Sequence, residues 1–157
     1  MVEEGGEAEG QRGPLPPGLF LLGLLVQGAA HLFFPVLPLI QDLWRALGIL
    51  PIGAGVVVML LADRQFKEAE TTVQPFDPPS TLVTGGTFRF SRNPMYLGML
   101  LVLAGMALAL GTLTPFLVLP VLAWVFTRRF IIPEEAAMER AFGREYEDYR
   151  RRVRRWL

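Results

Sequence analysis

The feature of this sequence that most constrains its fold is a series of long apolar segments separated by polar ones. The segments span residues 19–40, 47–62, 95–110 and 116–132. The first is long enough, at ~1.5 Å per helical residue, to cross a hydrocarbon core of about 30 Å. Because 52% of all residues are hydrophobic, the composition is typical of a membrane protein. The pattern predicts an all-α integral membrane protein with four transmembrane helices and a C-terminal amphipathic cytosolic helix.

The polar segments divide the chain into three parts. Residues 1–18 are rich in Gly, Glu and Pro, which predicts a disordered N-terminal tail. Residues 19–62 contain the two N-terminal transmembrane helices. Residues 63–157 contain a long polar connection, a helical hairpin and the last helix. The connection (residues 63–92) is of a length that is typically functional or disordered, and the alternation in its second half indicates an ordered pocket wall.

A last helix is predicted to begin at Pro133, with Glu134 and Glu135 in the first turn, where the helix dipole favours negative charge. Apolar residues then recur at three- or four-residue steps, and arginines occupy the remaining face. The apolar face comprises Met138, Phe142, Tyr146, Tyr149, Val153 and Trp156. The basic face comprises Arg140, Arg144, Arg150, Arg151, Arg154 and Arg155. This pattern predicts an amphipathic helix on an anionic membrane surface, with the arginine run at 150–155 contacting lipid headgroups.

The distribution of positive charge predicts the orientation of the chain. Four spans place both termini on one side of the membrane. With the termini inside, the cytoplasmic segments hold every Lys and Arg except Arg45. The positive-inside rule therefore predicts cytoplasmic termini, and it places the connection 63–92 and the last helix on the same cytoplasmic face.

The residue inventory argues against several kinds of site. The chain has no Cys and a single His, so a zinc site is not expected and no metal is predicted. Nucleic-acid binding is not expected either, because no basic surface interleaved with aromatic residues exists outside the last helix. Gln27 and His31 are one helical turn apart within the first span. They either mark a substrate path or form a hydrogen bond between packed helices, and the second interpretation is favoured.

Two stretches carry a family resemblance. They are TLVTGGTFRFSRNPMYLG (residues 81–98) and PEEAAMERAFGREYEDY (residues 133–149). Together they resemble the isoprenylcysteine carboxyl methyltransferase family, in particular its short bacterial members, and the related phospholipid methyltransferases. The resemblance covers about residues 64–155, including Thr71 and Pro75. The chain departs from many relatives at Asn93, where they have His, and at Phe88, where they have Tyr.

The resemblance implies a fold part, a cofactor and a location. Residues 63–157 would form the methyltransferase core, and the protein would lie in a bacterial inner membrane. The methyl donor would be S-adenosylmethionine, bound on the cytosolic side. Cofactor-binding residues carried over by position are Leu82, Val83, Thr84, Gly85, Phe88, Arg92, Asn93, Pro94, Tyr96, Glu134 and Glu135. Arg92 and Glu134 are the expected catalytic residues.

The chemistry of S-adenosylmethionine agrees with this residue set. Arg92 and the N–H groups of the Gly-Gly turn suit the carboxylate of the cofactor, and a glutamate suits its ammonium group or ribose hydroxyls. Phe88, Phe90 and Tyr96 can pack on adenine or on the cationic sulfonium. Methyl transfer is a direct displacement, so positioning should dominate. A carboxylate or thiolate acceptor needs no base, whereas an amine or hydroxyl acceptor would require a glutamate, since Asn93 cannot abstract a proton.

The acceptor is expected to be lipophilic or a small amphiphile (a carboxylate, thiol or amine) that enters from the bilayer, and membrane lipids are expected partners. The alternative is a non-catalytic membrane scaffold or lipid-binding relative. Under that alternative, Arg89 and Arg92 are interfacial anchors, Tyr96 belongs to an interfacial aromatic belt, and Glu134 and Glu135 are ordinary helix-start charges. Tyr146 and Tyr149 are expected to pack on the apolar face rather than bind a ligand.

Overall fold

The structure, a computed structural model, describes residues 15–69 and 80–157. Across these two ranges the regular secondary structure is helical, with only an isolated bridge between Pro38 and Thr112. The α-helices are α1 (Pro16–Phe33), α2 (Ile49–Glu68), α3 (Pro94–Leu110), α4 (Leu113–Phe116), α5 (Val118–Phe126), α6 (Ile132–Phe142) and α7 (Arg144–Arg152). Two 3-10 helices cover Asp42–Gly48 and Gly86–Arg89, and a π-helical turn covers Thr127–Ile131. The all-helical prediction is confirmed.

Three helical stretches are long and apolar enough to cross a membrane. They are Pro16–Phe33, Leu43–Glu68 and Leu113–Phe142. The remaining apolar helix, α3, has 17 residues and is shorter than the other three. The predicted membrane-spanning class is therefore supported by three helices, and α3 lies between two of them in the chain.

The first helix differs from its predicted bounds. α1 begins at Pro16, where proline at the first helical position is well tolerated, and it ends at Phe33 rather than at residue 40. Pro35 follows closely, and a proline disfavours helical geometry at the residue before it. Of the predicted disordered tail, residues 1–14 lie outside the described ranges, and so do Thr71 and Pro75 of the long connection.

The last part of the chain differs from the prediction at Gly143. α6 begins at Ile132 with Pro133 in its first turn, as predicted, and the π-helical turn Thr127–Ile131 joins it to α5, so that a continuous helical stretch runs from Leu113 to Phe142. The π-helical turn immediately before Pro133 is wider than an α-turn, and this leaves room for the proline ring. The helix ends at Gly143, whose φ of 51° and ψ of −121° suit glycine. The predicted single amphipathic helix is therefore two pieces, α6 and α7.

α2 and α3 pack together through a glycine seam, which consists of Gly48 and Gly55 on one side and Gly98 and Gly105 on the other. A Cβ atom at Gly55 would lie 2.5 Å from the Gly98 carbonyl oxygen, and one at Gly98 would lie 2.7 Å from the Gly55 oxygen. Gly105 meets Gly48 in the same way. Small residues allow this close backbone approach within a membrane, where the hydrophobic effect does not drive helices together.

α1 packs on the other helices through polar as well as apolar contacts. The Nε2 of Gln27, which is fully buried, donates to the carbonyl oxygens of Leu103 (3.0 Å) and Pro115 (3.1 Å). His31 Nδ1 lies 3.0 Å from the Thr112 hydroxyl. Both residues thus make hydrogen bonds between helices, as the favoured interpretation of the pair predicted.

The core lies between the N-terminal half of α3 and the C-terminal end of α5. Its buried residues include Tyr96, Met99, Leu103, Leu122, Phe126, Phe130 and Ile131. A second cluster joins α2 to α7 and comprises Ala62, Phe88, Tyr146, Tyr149 and Val153. Residues 91–93 lie between the second cluster and α3. Their side chains make hydrogen bonds with Glu135 and with main-chain oxygens near the chain end.

Candidate functional site

The site is centred on residues 91–93, hereafter the polar corner, which leads into α3. Ser91 is fully buried, and its hydroxyl accepts a hydrogen bond from the Asn93 N–H at 3.1 Å. Pro94 then occupies the first turn of α3, where its missing N–H costs nothing. The Asn93 side chain does not cap α3. It donates instead to the Arg155 carbonyl oxygen at 3.0 Å.

Glu135 joins the polar corner to the end of the chain. Its carboxylate accepts from Arg92 Nη2 at 2.6 Å and from Arg155 Nε and Nη2 at 3.0 and 2.6 Å. The side chains of Arg92 and Glu135 are only 9% and 12% exposed, so this pair is poorly screened by water. The hydrogen bonds to Glu135 raise the pKa of Arg155 further, which keeps its charge at every relevant pH. Two cations therefore share one carboxylate.

Glu134 has a different environment from its neighbour. Its Oε1 accepts a hydrogen bond from the Tyr96 hydroxyl at 2.6 Å. Among the described residues no Lys, Arg or His lies within ion-pair distance of Glu134. The Tyr96 ring stacks with Phe130 at 6.2 Å and contacts Phe126 at 5.4 Å between centroids. The result is a carboxylate without a counter-ion beside an aromatic wall.

The Arg92 side chain makes most of its hydrogen bonds with residues near the end of the chain and with Glu135. Nη1 donates to the carbonyl oxygens of Arg150 (3.1 Å) and Val153 (2.9 Å), and Nη2 is paired with Glu135. Nε is buried, and no residue that the structure describes accepts a hydrogen bond from it. An unpartnered buried donor of this kind costs about 1–3 kcal/mol, so an acceptor at Nε would stabilise the site.

The predicted loop residues divide into two groups. Leu82 and Val83 are half-buried and Thr84 and Gly85 are exposed, and the N–H groups of these four residues donate no backbone hydrogen bond within the described ranges. Phe88, by contrast, is 5% exposed and packs edge-on against Phe66 at 5.0 Å. Phe88 therefore belongs to the core between α2 and α7 and not to the surface that carries Glu134. Phe90 is exposed.

Sequence reasoning missed residues that hold the site together. Gln65 on α2 accepts from the Thr87 N–H and hydroxyl at 3.1 and 2.9 Å, and so fixes the turn after Gly86. Ser91 and Arg155 were not singled out as site residues either. The sequence did contain a hint of this role. Val153 and Trp156, which were predicted on the apolar face of the last helix, lie beyond α7, and apolar residues at these positions indicate that the chain end is packed.

Tyr146 and Tyr149 are structural, as expected. Both are buried, and the Tyr149 hydroxyl donates to the Phe88 carbonyl oxygen at 2.7 Å. Burial raises the pKa of both phenols above the ordinary value. Within residues 15–69 and 80–157, no group of three or more His, Cys, Asp or Glu is placed to hold a metal ion.

Fold and site together define a helical membrane protein with a charged, aromatic-lined corner where one apolar helix begins and another ends. The sequence profile of the phospholipid methyltransferase family matches residues 43–145, which is more than half of the chain. The chain belongs to this family, and the resemblance stated from the two motifs is confirmed.

Two relatives locate the chain further. It is 35% identical over 72 residues to the protein-S-isoprenylcysteine O-methyltransferase of Schizosaccharomyces pombe, a match that covers 46% of this chain and 30% of that protein. It is also 40% identical over 63 residues to an uncharacterised protein of Haemophilus influenzae, covering 40% of this chain and all of that protein. The chain thus spans less than a third of the yeast protein. No solved structure matches it.

Proposed function

We propose that this protein is a membrane-embedded methyltransferase that uses S-adenosylmethionine, with α3 as a fourth span and both termini in the cytoplasm. Membership of the phospholipid methyltransferase family supports methyl transfer, and the apolar helices support a membrane location. At ~1.5 Å per residue α3 is about 25 Å long, close to the hydrocarbon thickness of about 30 Å. Such a topology places the polar corner at the inner interface of a bacterial membrane, where a soluble cofactor has access.

The observation that carries the proposal is the contact between the start of α3 and the glutamates of α6. Tyr96 binds Glu134 and Arg92 binds Glu135, each at 2.6 Å, although 38 and 43 residues separate the partners in the chain. The two stretches that carry the family resemblance are therefore neighbours in space.

The residues present fit S-adenosylmethionine. Glu134, which lacks a cation among the described residues, suits the ammonium group or the ribose hydroxyls, and Tyr96, whose hydroxyl donates to Glu134, suits the sulfonium. The N–H groups of residues 82–85 suit the carboxylate. Arg92 Nε is a buried donor that finds no acceptor within residues 15–69 and 80–157. When bound, the cofactor supplies an electrophilic methyl group, and the chain supplies binding, orientation and exclusion of water.

We infer the chemical class of the methyl acceptor from the position of the site in the fold, not from the shape of a binding pocket. The polar corner begins at the cytosolic end of an apolar helix, so a lipophilic or small amphiphilic acceptor would reach it from the bilayer with its reactive group at the interface. A carboxylate or thiolate needs no base there. For an amine, the proton would be taken by Glu134, because Glu135 is occupied by Arg92 and Arg155.

Calorimetry in detergent micelles or nanodiscs tests the proposal. We expect S-adenosylmethionine to bind the wild-type protein and to bind Glu134→Gln about tenfold more weakly, because the site loses the carboxylate that has no cationic partner among the described residues. Glu145→Gln, which neutralises an exposed carboxylate on α7, is the matched control and should bind as the wild type does. Absence of binding by folded wild-type protein would contradict the proposal.

The second candidate, a lipid-binding scaffold, is favoured by the exposed arginines of α7, namely Arg150, Arg151 and Arg152. A screen of methyl acceptors with isotopically labelled donor separates the two functions. Label transferred to any lipid, thiol, amine or carboxylic acid supports the enzyme. Retained binding of anionic vesicle lipids without any transfer supports the scaffold.

A further inference from the structure

The chain end contributes to the polar corner in a way that neither motif describes. Residues 153–156, hereafter the C-terminal segment, follow α7 and are not helical. Their main-chain oxygens accept from the polar corner: Arg154 O from the Arg92 N–H at 3.0 Å, and Arg155 O from the Ser91 hydroxyl at 3.2 Å and from Asn93 Nδ2 at 3.0 Å. Trp156 packs on the core that contains Tyr96. The C-terminal segment is thus one wall of the site.

Arg155 is the residue that links this wall to α6 by a side chain. It binds both oxygens of Glu135, while Arg92 binds one of them. A bidentate arginine–carboxylate pair has a defined geometry as well as a favourable energy. Since Arg92 leads directly into Asn93 and α3, the position of Arg155 is transmitted through Glu135 and Arg92 to the turn that carries Tyr96.

The two adjacent glutamates therefore have different tasks. The charge of Glu135 is neutralised by two arginines, and its side chain is 12% exposed. Glu134 keeps a carboxylate without a cationic partner among the described residues. The family match ends at residue 145, so the partner that sets Glu135 apart lies beyond it.

We propose that Arg155 is a positioning residue for the methyltransferase site, which acts by holding Glu135 and Arg92 and thereby leaves Glu134 as the carboxylate that meets the cofactor. The proposal rests on the proposed function. In this proposal Arg155 contacts neither the methyl donor nor the methyl acceptor. Its loss detaches the C-terminal segment from α6 and leaves Glu135 with Arg92 alone.

The test compares Arg155→Met with Arg154→Met, which removes the same charge from the next residue, whose side chain is exposed. We expect Arg155→Met to raise the Kd for S-adenosylmethionine by about tenfold to a hundredfold, as misplaced binding groups do, and Arg154→Met to change it less than about twofold. Arg155→Lys keeps the charge but loses the two-point contact, so its Kd should lie between the two. Combining Arg155→Met with Glu135→Gln should cost no more than the larger single effect, because both act through one network.

A fluorescence readout reports the C-terminal segment directly. Trp44 and Trp124 are 69% and 63% exposed, so replacing both by Phe leaves Trp156 as the reporter. We expect the emission of Trp156 to shift to longer wavelength in Arg155→Met, because the indole leaves the core, and to stay unchanged in Arg154→Met. Thermal unfolding identifies the folded variants, and Arg155→Lys decides the matter if Arg155→Met does not fold.

The outcomes separate this proposal from the proposed function. Wild-type binding together with an unchanged Kd in folded Arg155→Met overturns the positioning role and leaves the methyltransferase standing. A lower melting temperature with an unchanged Kd does the same, since it shows a structural role only. A wild-type protein that binds no S-adenosylmethionine overturns both.

Discussion

The glycine seam and the polar corner hold the same helix, α3, by opposite means. Along the seam, α3 meets α2 through backbone atoms because Gly55 and Gly98 have no side chain to intervene. At its N-terminus, α3 is held by charged side chains and by main-chain oxygens from the chain end. Between packed apolar helices, close approach takes the place of the hydrophobic effect, whereas the largely buried charges of Arg92 and Glu135 need partners because water screens them poorly. Added volume should therefore damage the seam most, and altered charge should damage the corner most.

The largest expected effect comes from a single methyl group in the seam. Gly55→Ala places a Cβ 2.5 Å from the Gly98 oxygen and 2.9 Å from the Val102 N, and backbone atoms cannot move aside without separating the helices. We expect a loss of about 3 kcal/mol in the free energy of unfolding, measured by thermal or denaturant unfolding in detergent. Gly53→Ala is the matched control, because a Cβ there meets nothing within 4 Å. It should stabilise α2 by up to about 1 kcal/mol, and equal effects at both positions would refute the seam.

The next largest loss of stability should come from Glu135→Gln, which removes the carboxylate bound to Arg92 of the polar corner. This change removes the charged partner of the largely buried Arg92, whose hydrogen bonds to a charged group contribute about 2–3 kcal/mol, so we expect a loss of that size in stability. Glu139→Gln, on the same helix, breaks a pair with Arg150 whose two side chains are about half exposed. Its cost should stay below about 1 kcal/mol. Melting temperatures of the two variants check the difference, and a similar small cost for both would show that the corner is not an ordered network.

Substitution of two tyrosines near the polar corner distinguishes a residue that supports cofactor binding from one that only stabilises the fold. Tyr96→Phe removes the donor to Glu134, and Tyr149→Phe removes the donor to the Phe88 oxygen. Each should cost about 1 kcal/mol of stability. Only Tyr96→Phe should also weaken binding of S-adenosylmethionine, by a few-fold, because it alone alters the unpaired carboxylate. Calorimetry on both variants checks this, and weaker binding by Tyr149→Phe alone would reverse the assignment.

The smallest effect is expected from Gln27→Leu in α1. The change loses two interhelical hydrogen bonds but also removes a buried Oε1 that has no hydrogen-bond partner among the described residues. The net change in stability should be about 1 kcal/mol or less, and methyl transfer should continue at the wild-type rate. A labelled-donor assay that shows lost transfer in stable Gln27→Leu protein would instead assign the pair with His31 to a substrate path.

Local patterns predicted a large part of the molecule. The apolar segments anticipated the helices because burial in lipid demands long runs of apolar residues, whichever helices are neighbours. The two motifs also anticipated that the start of α3 would lie beside Glu134 and Glu135, since the family resemblance joins them. Patterns did not anticipate the π-helical turn Thr127–Ile131 that joins α5 to the helix containing Pro133. They also could not place Phe88, because an aromatic residue in a loop looks the same whether it packs on a ligand or on Phe66.

The sequence by itself determined that the chain is helical, that it contains helices long and apolar enough to span a membrane and that it resembles the methyltransferase family. These properties depend on composition, on spacing and on two contiguous motifs. Only the tertiary structure decided that Glu135 is paired with two arginines while Glu134 is not, and that the chain end forms a wall of the site. The physical reason is that main-chain oxygens, such as those of Arg154 and Arg155, accept hydrogen bonds from any residue type. Such contacts therefore cannot be recognised from the amino-acid sequence.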